Sequence, residues 1–399
     1  MAKDYQKPTT TPILIAFTEA QQSRETYGGG VANVVLQGMH LRRPDATRDT
    51  VLLFMHPTAT LDTLPLPREL ARRGVPVLAC GSRYPHNDSA LIMEKVLVDL
   101  GHYVRYARER LGYRTVILAG WSGGASLSVF YQSQAQNPTI TATPCGDAID
   151  LSELQTADAI MQLAAHSARA RIMTESMDAS LRSEGDPTDR NAAFNLYDRI
   201  NGPKPPYAPD FVAAYRAAQI DRNQRITAWV RETLDALKRR GSANQERCFV
   251  THGTMADPRW LDPTLDANGR APGICYLGEP EAVNNGPIGL ARFATLRSWL
   301  SQWSIEESRA NTELQGPHVT VPALVIANAA DDCCPPSHTD IIYRSLGGPK
   351  ELHTIPGANH YYIGQREQLD AATTLIIDWL RKGGLLEGLP DASGGGERG

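Results

Sequence analysis

The stretch VILAGWSGGASLSVFY, Val116 to Tyr131, decides how the rest of the chain is read. An apolar, partly β-branched run ending at Ala119 meets Gly120-Trp121-Ser122-Gly123-Gly124, and small apolar residues follow. One reading is an ordinary tight turn between a buried strand and a helix. The other is a nucleophile: a serine on a strained strand-to-helix elbow, whose glycines let neighbouring backbone crowd it. Glycine and serine are common, so this pattern alone does not choose. Partners for the serine must be sought elsewhere.

At 399 residues the chain has room for one large α/β domain with an insertion, or for two domains. A formal charge of −4 without a dense run of Lys and Arg argues against nucleic-acid and anionic-membrane partners. The opening MAKDYQKPTTT is polar and carries no secretory pattern, and no run approaches membrane-spanning length. The six cysteines form neither C-x-x-C pairs nor zinc spacings. A reduced, cytoplasmic setting with free thiols, no metal and no cofactor is the expectation. The partner is a small-molecule substrate, and a homodimer stays open.

Strand and helix signals alternate through residues 1–165. PILIAF and VANVVLQGMHLRR flank the Gly28–Gly30 turn as an antiparallel pair; TVLLFM, VPVLAC and residues 115–119 read as buried strands. ADAIMQLAA is a further strand, and helical patterns lie between. The alternation resumes over 321–385 with VPALVIAN, a helix at 336–346, KELHTIP and the amphipathic EQLDAATTLIIDWLRK. This predicts an α/β fold: a mostly parallel central sheet with helices on both faces. Residues 166–320 interrupt it and exceed any ordinary connection of about 2–6 residues. They read as an inserted, mainly helical cap, with DFVAAYRAAQIDRNQRITAWVRETLDALKRR and GLARFATLRSWLSQW as helices. Residues 386–399, ending in DASGGGERG, are expected to be a disordered tail.

A serine hydroxyl needs a base to take its proton and a third group to orient that base. Among ten histidines, His360 follows the last strand in IPGANHYYIGQ, where Gly357 makes a turn able to aim an imidazole over the sheet. His353 lies inside that strand and is expected to face packed structure; His338 belongs to a helix start. The orienting acid is sought in ANAADDCCPP, where Asp331 and Asp332 are adjacent. Asp331 is preferred, with Asp332 as a loop carboxylate accepting backbone N–H bonds.

The chain order Ser122, Asp331, His360, each after a strand, resembles the α/β-hydrolase superfamily with a serine nucleophile, over roughly residues 30–165 and 318–383. The 166–320 insertion falls where cap domains enter in that superfamily. Its acid loop usually has Gly three residues before the Asp and Pro four after it; Asn328 departs from this and Pro335 fits, which supports Asp331. The resemblance also implies an oxyanion hole. One donor is the N–H of Gly123. The other comes from the loop after strand 51–55, usually His-Gly; here the loop reads MHPTATLDT, and Pro57 has no N–H, so Thr58 is the candidate. His56 is expected to brace that loop at the edge of the substrate site, and Trp121 to pack beside the elbow.

Of the cap aromatics and methionines, most are expected to form its own core and a few to line an apolar pocket over Ser122. His166, Arg169 and Arg171 read as a salt-bridged helix start, although an arginine there suits a substrate carboxylate. Cys333-Cys334 reads as buried small residues. The leading expectation is a serine hydrolase acting on a carboxylic ester of a small to medium, largely apolar molecule. Carbon–carbon hydrolysis of a diketone or acyl transfer would use the same triad. A non-catalytic ligand-binding protein is the alternative from another class.

Overall fold

A computed structural model describes residues 7–19, 31–241, 246–287, 289–387 and 389. The expected Gly28–Gly30 turn lies outside them. The core elements run β1 (Thr9–Thr18), β2 (Asn33–Arg42), β3 (Thr50–Met55), α1 (Pro65–Arg72), β4 (Val77–Cys80), α2 (Met93–Glu109), β5 (Thr115–Trp121), α3 (Gly123–Gln136) and β6 (Ala159–Leu163). An insertion follows, with helices α4 (Arg169–Glu175) and α5 (Pro209–Arg239) and strands β7 (Cys248–Val250) and β8 (Phe293–Thr295). The core resumes with β9 (Ala323–Asn328), α6 (Pro336–Ser345), β10 (Lys350–Ile355) and α7 (Arg366–Lys382).

The eight core strands form one sheet in the order β1-β2-β4-β3-β5-β6-β9-β10. The β1/β2 and β2/β4 pairs are antiparallel, and every other neighbour is parallel. Strand β3 shows why the central runs are continuously apolar. Val51, Leu53 and Met55 pack with α2 and α3, whereas Leu52 and Phe54 pack with α1 and α7. Each face is buried, so alternation disappears from the sequence. At the sheet edge the rule lapses. His353 on β10 keeps 40% of its side chain exposed beside Glu351, contrary to the expected packed position, because β10 has a neighbour on one side only.

The insertion is built around α5, whose buried residues Tyr215, Gln219, Arg222, Asn223, Ile226, Val230, Leu234 and Leu237 recur at helical spacing. The expected single helix over GLARFATLRSWLSQW does not form. Phe293–Thr295 instead pairs antiparallel with Cys248–Val250. Thr295 then caps the next turn reciprocally with Ser298, so helical backbone begins only after it. A π-helical turn at Trp299–Trp303 stacks the two indoles at 5.1 Å.

The packed chain extends past 385. Leu386 is buried, and Leu385 and Leu389 pack on the same apolar cluster. Thr47 and Thr50 donate to the carbonyls of Glu387 and Leu385. The expected tail therefore does not start at 386; residues 388 and 390–399 lie outside the described part. Among the described residues no helix is long and apolar enough to cross a membrane.

Candidate active site

Parallel strands place their carboxyl ends together, and the loops after β3, β5, β6, β9 and β10 meet there. Ser122 closes β5 with φ 51° and ψ −117°, a conformation that L-residues seldom adopt. The close approaches around it explain the glycines. A Cβ on Gly120 would lie 2.6 Å from Ala125 Cα, and one on Gly124 would run into the Met55 carbonyl at the end of β3. The serine N–H is held by the Leu163 carbonyl at 3.0 Å. The Gly123 N–H, first in α3, has no acceptor inside the helix.

Asp331 and His360 are both buried and joined. His360 Nδ1 lies 3.0 Å and 2.9 Å from the two Asp331 carboxylate oxygens. Asp331 Oδ1 also accepts from the N–H groups of Cys333 and Cys334, each at 2.8 Å, which fixes the carboxylate before it meets the ring. With Nδ1 engaged by Asp331, the other side of the ring meets the Cys333 side chain, which hydrogen-bonds His360 at the cavity wall. The Asp332 carboxylate accepts from its own backbone N–H, and its carbonyl accepts from Trp260 Nε1 at 2.8 Å. Two further donors from the insertion hold this loop: Asn268 Nδ2 to the Asp331 carbonyl at 2.8 Å and Gly269 N to the Ala329 carbonyl at 2.7 Å.

Ser122, His360, His56, Thr58 and Trp121 share one cavity of about 630 Å³. Trp121 meets His360 edge-on with ring centres 5.7 Å apart. Leu61, Ile172, Met173, Trp260, Tyr276 and Leu290 supply apolar surface, so few of the insertion's aromatics reach the cavity. Tyr207, Phe211 and Tyr215 pack in the insertion's own core. The wall is less apolar than expected, because His166, Arg169 and Asp88 also line it. Arg169 is a buried, salt-bridged residue: it donates to Asp88 at 2.9 Å and to Gln302 at 2.9 Å. Arg171 is the exposed partner of Glu313.

Thr58, expected to offer its N–H to an oxyanion, directs that group elsewhere. His56 Nδ1 accepts from Thr58 N at 3.2 Å and from Ala59 N at 3.0 Å. His56 thus braces the loop as expected, and the amides of Thr58 and Ala59 are spent on it. Burial, with the charges of Arg169 and His360, pushes the His56 pKa down to about 3, so the ring is neutral. His56 Nε2 comes within 2.6 Å of the Cβ position on Gly123, and His166 Nε2 within 3.5 Å.

Cys333 was not legible as part of this site. Ser122 Oγ has Cys334 Sγ at 4.0 Å as its one hydrogen-bonding neighbour among the described residues. Cys333 lines the cavity and contacts His360. Bonding to Cys334 and the nearby His360 charge bring its thiol down to about 6 against the opposing effect of burial. Burial works against protonation of His360, yet Asp331 and then Cys333 hold its pKa well above the ordinary histidine value. The two residues are therefore not inert packing. Cys333, Cys334 and His360 also bring one ligand atom each to within 4.8 Å of one another, a set suited to a thiophilic cation. The absence of metal spacing in the sequence gave no hint of this, because His360 arrives from another strand.

An α/β hydrolase, GrgF from Penicillium sp. sh18, matches 93% of this chain and 98% of its own, with TM-score 0.50 and 12% identity. The chain has the α/β-hydrolase fold. Also similar are a soluble variant of monoglyceride lipase from Saccharomyces cerevisiae (13% identity, 95% and 97% covered, TM-score 0.48) and the Paleococcus ferrophilus monoacylglycerol lipase (14%, 87% and 98%, 0.45). A family model described as PhoPQ-activated pathogenicity-related protein matches residues 304–385. No curated protein matches. Within the α/β-hydrolase fold, Ser122, Asp331 and His360 occupy the loops after β5, β9 and β10.

Proposed function

We propose that this protein is a serine hydrolase that cleaves a carboxylic ester of a small to medium, largely apolar molecule through an acyl-enzyme. The observation that carries this reading is the buried Asp331–His360 pair, 2.9 Å apart, whose histidine shares a cavity with a serine held at positive φ. In its neutral form, which the raised pKa confines to the alkaline side of the ordinary histidine range, His360 takes the Ser122 proton on Nε2 as Oγ attacks the carbonyl carbon. Asp331 keeps the Nδ1 proton in place and stabilises the imidazolium. His360 then returns the proton to the leaving alkoxide, and water, activated the same way, releases the acid. The Gly123 N–H is one donor to the oxyanion. Cavity walls from Leu61, Met173 and Leu290 suit an apolar acyl or alcohol group. Free cysteines, Cys333 among them, support a reducing, cytoplasmic setting.

The test is incubation of the folded protein with a fluorophosphonate probe followed by peptide mapping. Label on Ser122 is expected; its absence would remove every hydrolytic reading. Turnover of short-chain aryl esters, set against a diketone and against an added acyl acceptor, then separates ester hydrolysis from carbon–carbon cleavage and acyl transfer.

A further inference from the structure

We infer that the oxyanion hole is completed by a side chain, the Nε2–H of His56, and not by a backbone N–H of the loop that follows β3. The inference rests on the serine-hydrolase reading above. A tetrahedral oxyanion calls for a second donor besides Gly123, and the amides nearest in sequence are committed: those of Thr58 and Ala59 both point at His56 Nδ1, 3.2 Å and 3.0 Å away. That same commitment assigns the tautomer. A nitrogen accepting two N–H bonds carries no proton, so in the neutral ring the proton sits on Nε2.

The location fits the role. Nε2 has no hydrogen-bond partner among the described residues, and it is not a sealed atom, since His56 lines the catalytic cavity. It closes on Gly123, whose missing Cβ would sit 2.6 Å from it, so the glycine is what allows the imidazole edge to reach the elbow. His166 does not qualify in the same way: its Nδ1 is sealed without a partner, and nothing fixes which nitrogen holds its proton. A neutral imidazole is a suitable donor here, because it stabilises the charge without surrendering a proton.

Ser122 Oγ forms a bond to the carbonyl carbon while its proton passes to His360 Nε2. The carbonyl π pair moves onto oxygen, which accepts hydrogen bonds from Gly123 N–H and His56 Nε2–H. When the leaving-group bond breaks, the pair returns, and His360 supplies the departing oxygen with its proton. The His56 proton stays on Nε2 throughout.

The His56→Asn variant separates donor from brace, since asparagine Oδ1 reaches the position of Nδ1 and can hold the loop amides while no group replaces Nε2–H. We expect kcat to fall about 10²–10³-fold with KM within about threefold of wild type. Affinity for a trifluoromethyl ketone, which forms an oxyanion on Ser122, should fall by a similar factor, and His56→Gln, which reaches the Nε2 position with an N–H, should recover part of the loss. A His56→Asn protein with wild-type kcat and wild-type ketone affinity would overturn the inference, leaving His56 a brace only. Wild-type protein that neither labels with fluorophosphonate nor turns over esters would instead overturn the hydrolase reading beneath it.

Discussion

One carboxylate performs two tasks at the end of β9, and substitution of Asp331 should expose them separately. Asp331 Oδ1 accepts from the N–H groups of Cys333 and Cys334, while both oxygens lie 2.9–3.0 Å from His360 Nδ1. In Asp331→Asn, the amide oxygen can stay on the two N–H groups, and the NH₂ then faces His360. That forces His360 Nδ1 to accept and puts the ring proton on Nε2, where it cannot receive another from Ser122. A fall in kcat of about 10⁴ is expected, the size seen when a triad acid is exchanged for its amide. Asp331→Ala should lose activity comparably and lose stability as well. Two buried N–H groups are left without acceptors, at about 1–3 kcal/mol each, or about 2–6 kcal/mol together. Spread over the unfolding entropy of 399 residues, that is a lowering of Tm by about 2–7 °C. Aryl-ester kinetics and thermal denaturation of the two variants provide the check. An Asp331→Asn enzyme with more than about a tenth of wild-type kcat, or an Asp331→Ala protein as stable as Asp331→Asn, would refute the reasoning. Asp332→Ala serves as the comparison and should keep near-normal turnover.

Three further expectations follow from the same geometry. In Gly124→Ala the added methyl meets the Met55 carbonyl in a buried strand that cannot yield; a loss of about 1–3 kcal/mol and of about 10²-fold in kcat should appear in denaturation and kinetics. A Cys333→Ala enzyme removes the thiolate that stabilises the His360 imidazolium, so the His360 pKa should drop and the acid limb of the kcat/KM profile move to lower pH. An unmoved limb would show that the two are not coupled. Arg222 in α5 is enclosed, pairing with Glu184 and donating to the carbonyls of Asp178, His252 and Gly253. Arg222→Met should destabilise the protein by about 3–5 kcal/mol, read by urea titration, while the kcat of the surviving folded fraction stays close to wild type.

Local sequence carried the parts of this site that depend on local chemistry. The elbow was legible because Gly120 and Gly124 answer steric demands made within a few residues and by one neighbouring strand. Asp331 was separable from Asp332 through Pro335, although Asn328 stands where a Gly was expected, and the structure brings His360 to the former. Contacts made across long sequence separations were not legible. Nothing near Cys333 says that an imidazole 27 positions later will settle on it, and nothing in MHPTATLDT says that His56 will take the amides of Thr58 and Ala59. The same holds in the insertion, where RFAT was absorbed into a helical pattern because its strand partner, Cys248–Val250, lies over 40 residues upstream.

The three hydrogen bonds from Trp260, Asn268 and Gly269 to carbonyls of the acid loop give the insertion a second identity. It is usual to think of such a segment as a removable roof, to be shortened when wider access is wanted. Here the segment is bolted to the floor: Trp260, which lines the cavity, and its neighbours Asn268 and Gly269 hold the loop on which Asp331 stands. Shortening the segment would leave three carbonyls searching for donors and would loosen the acid along with the entrance. Broader substrate tolerance is better sought by recutting single side chains of the wall, such as Leu61 or Leu290, with the frame left whole.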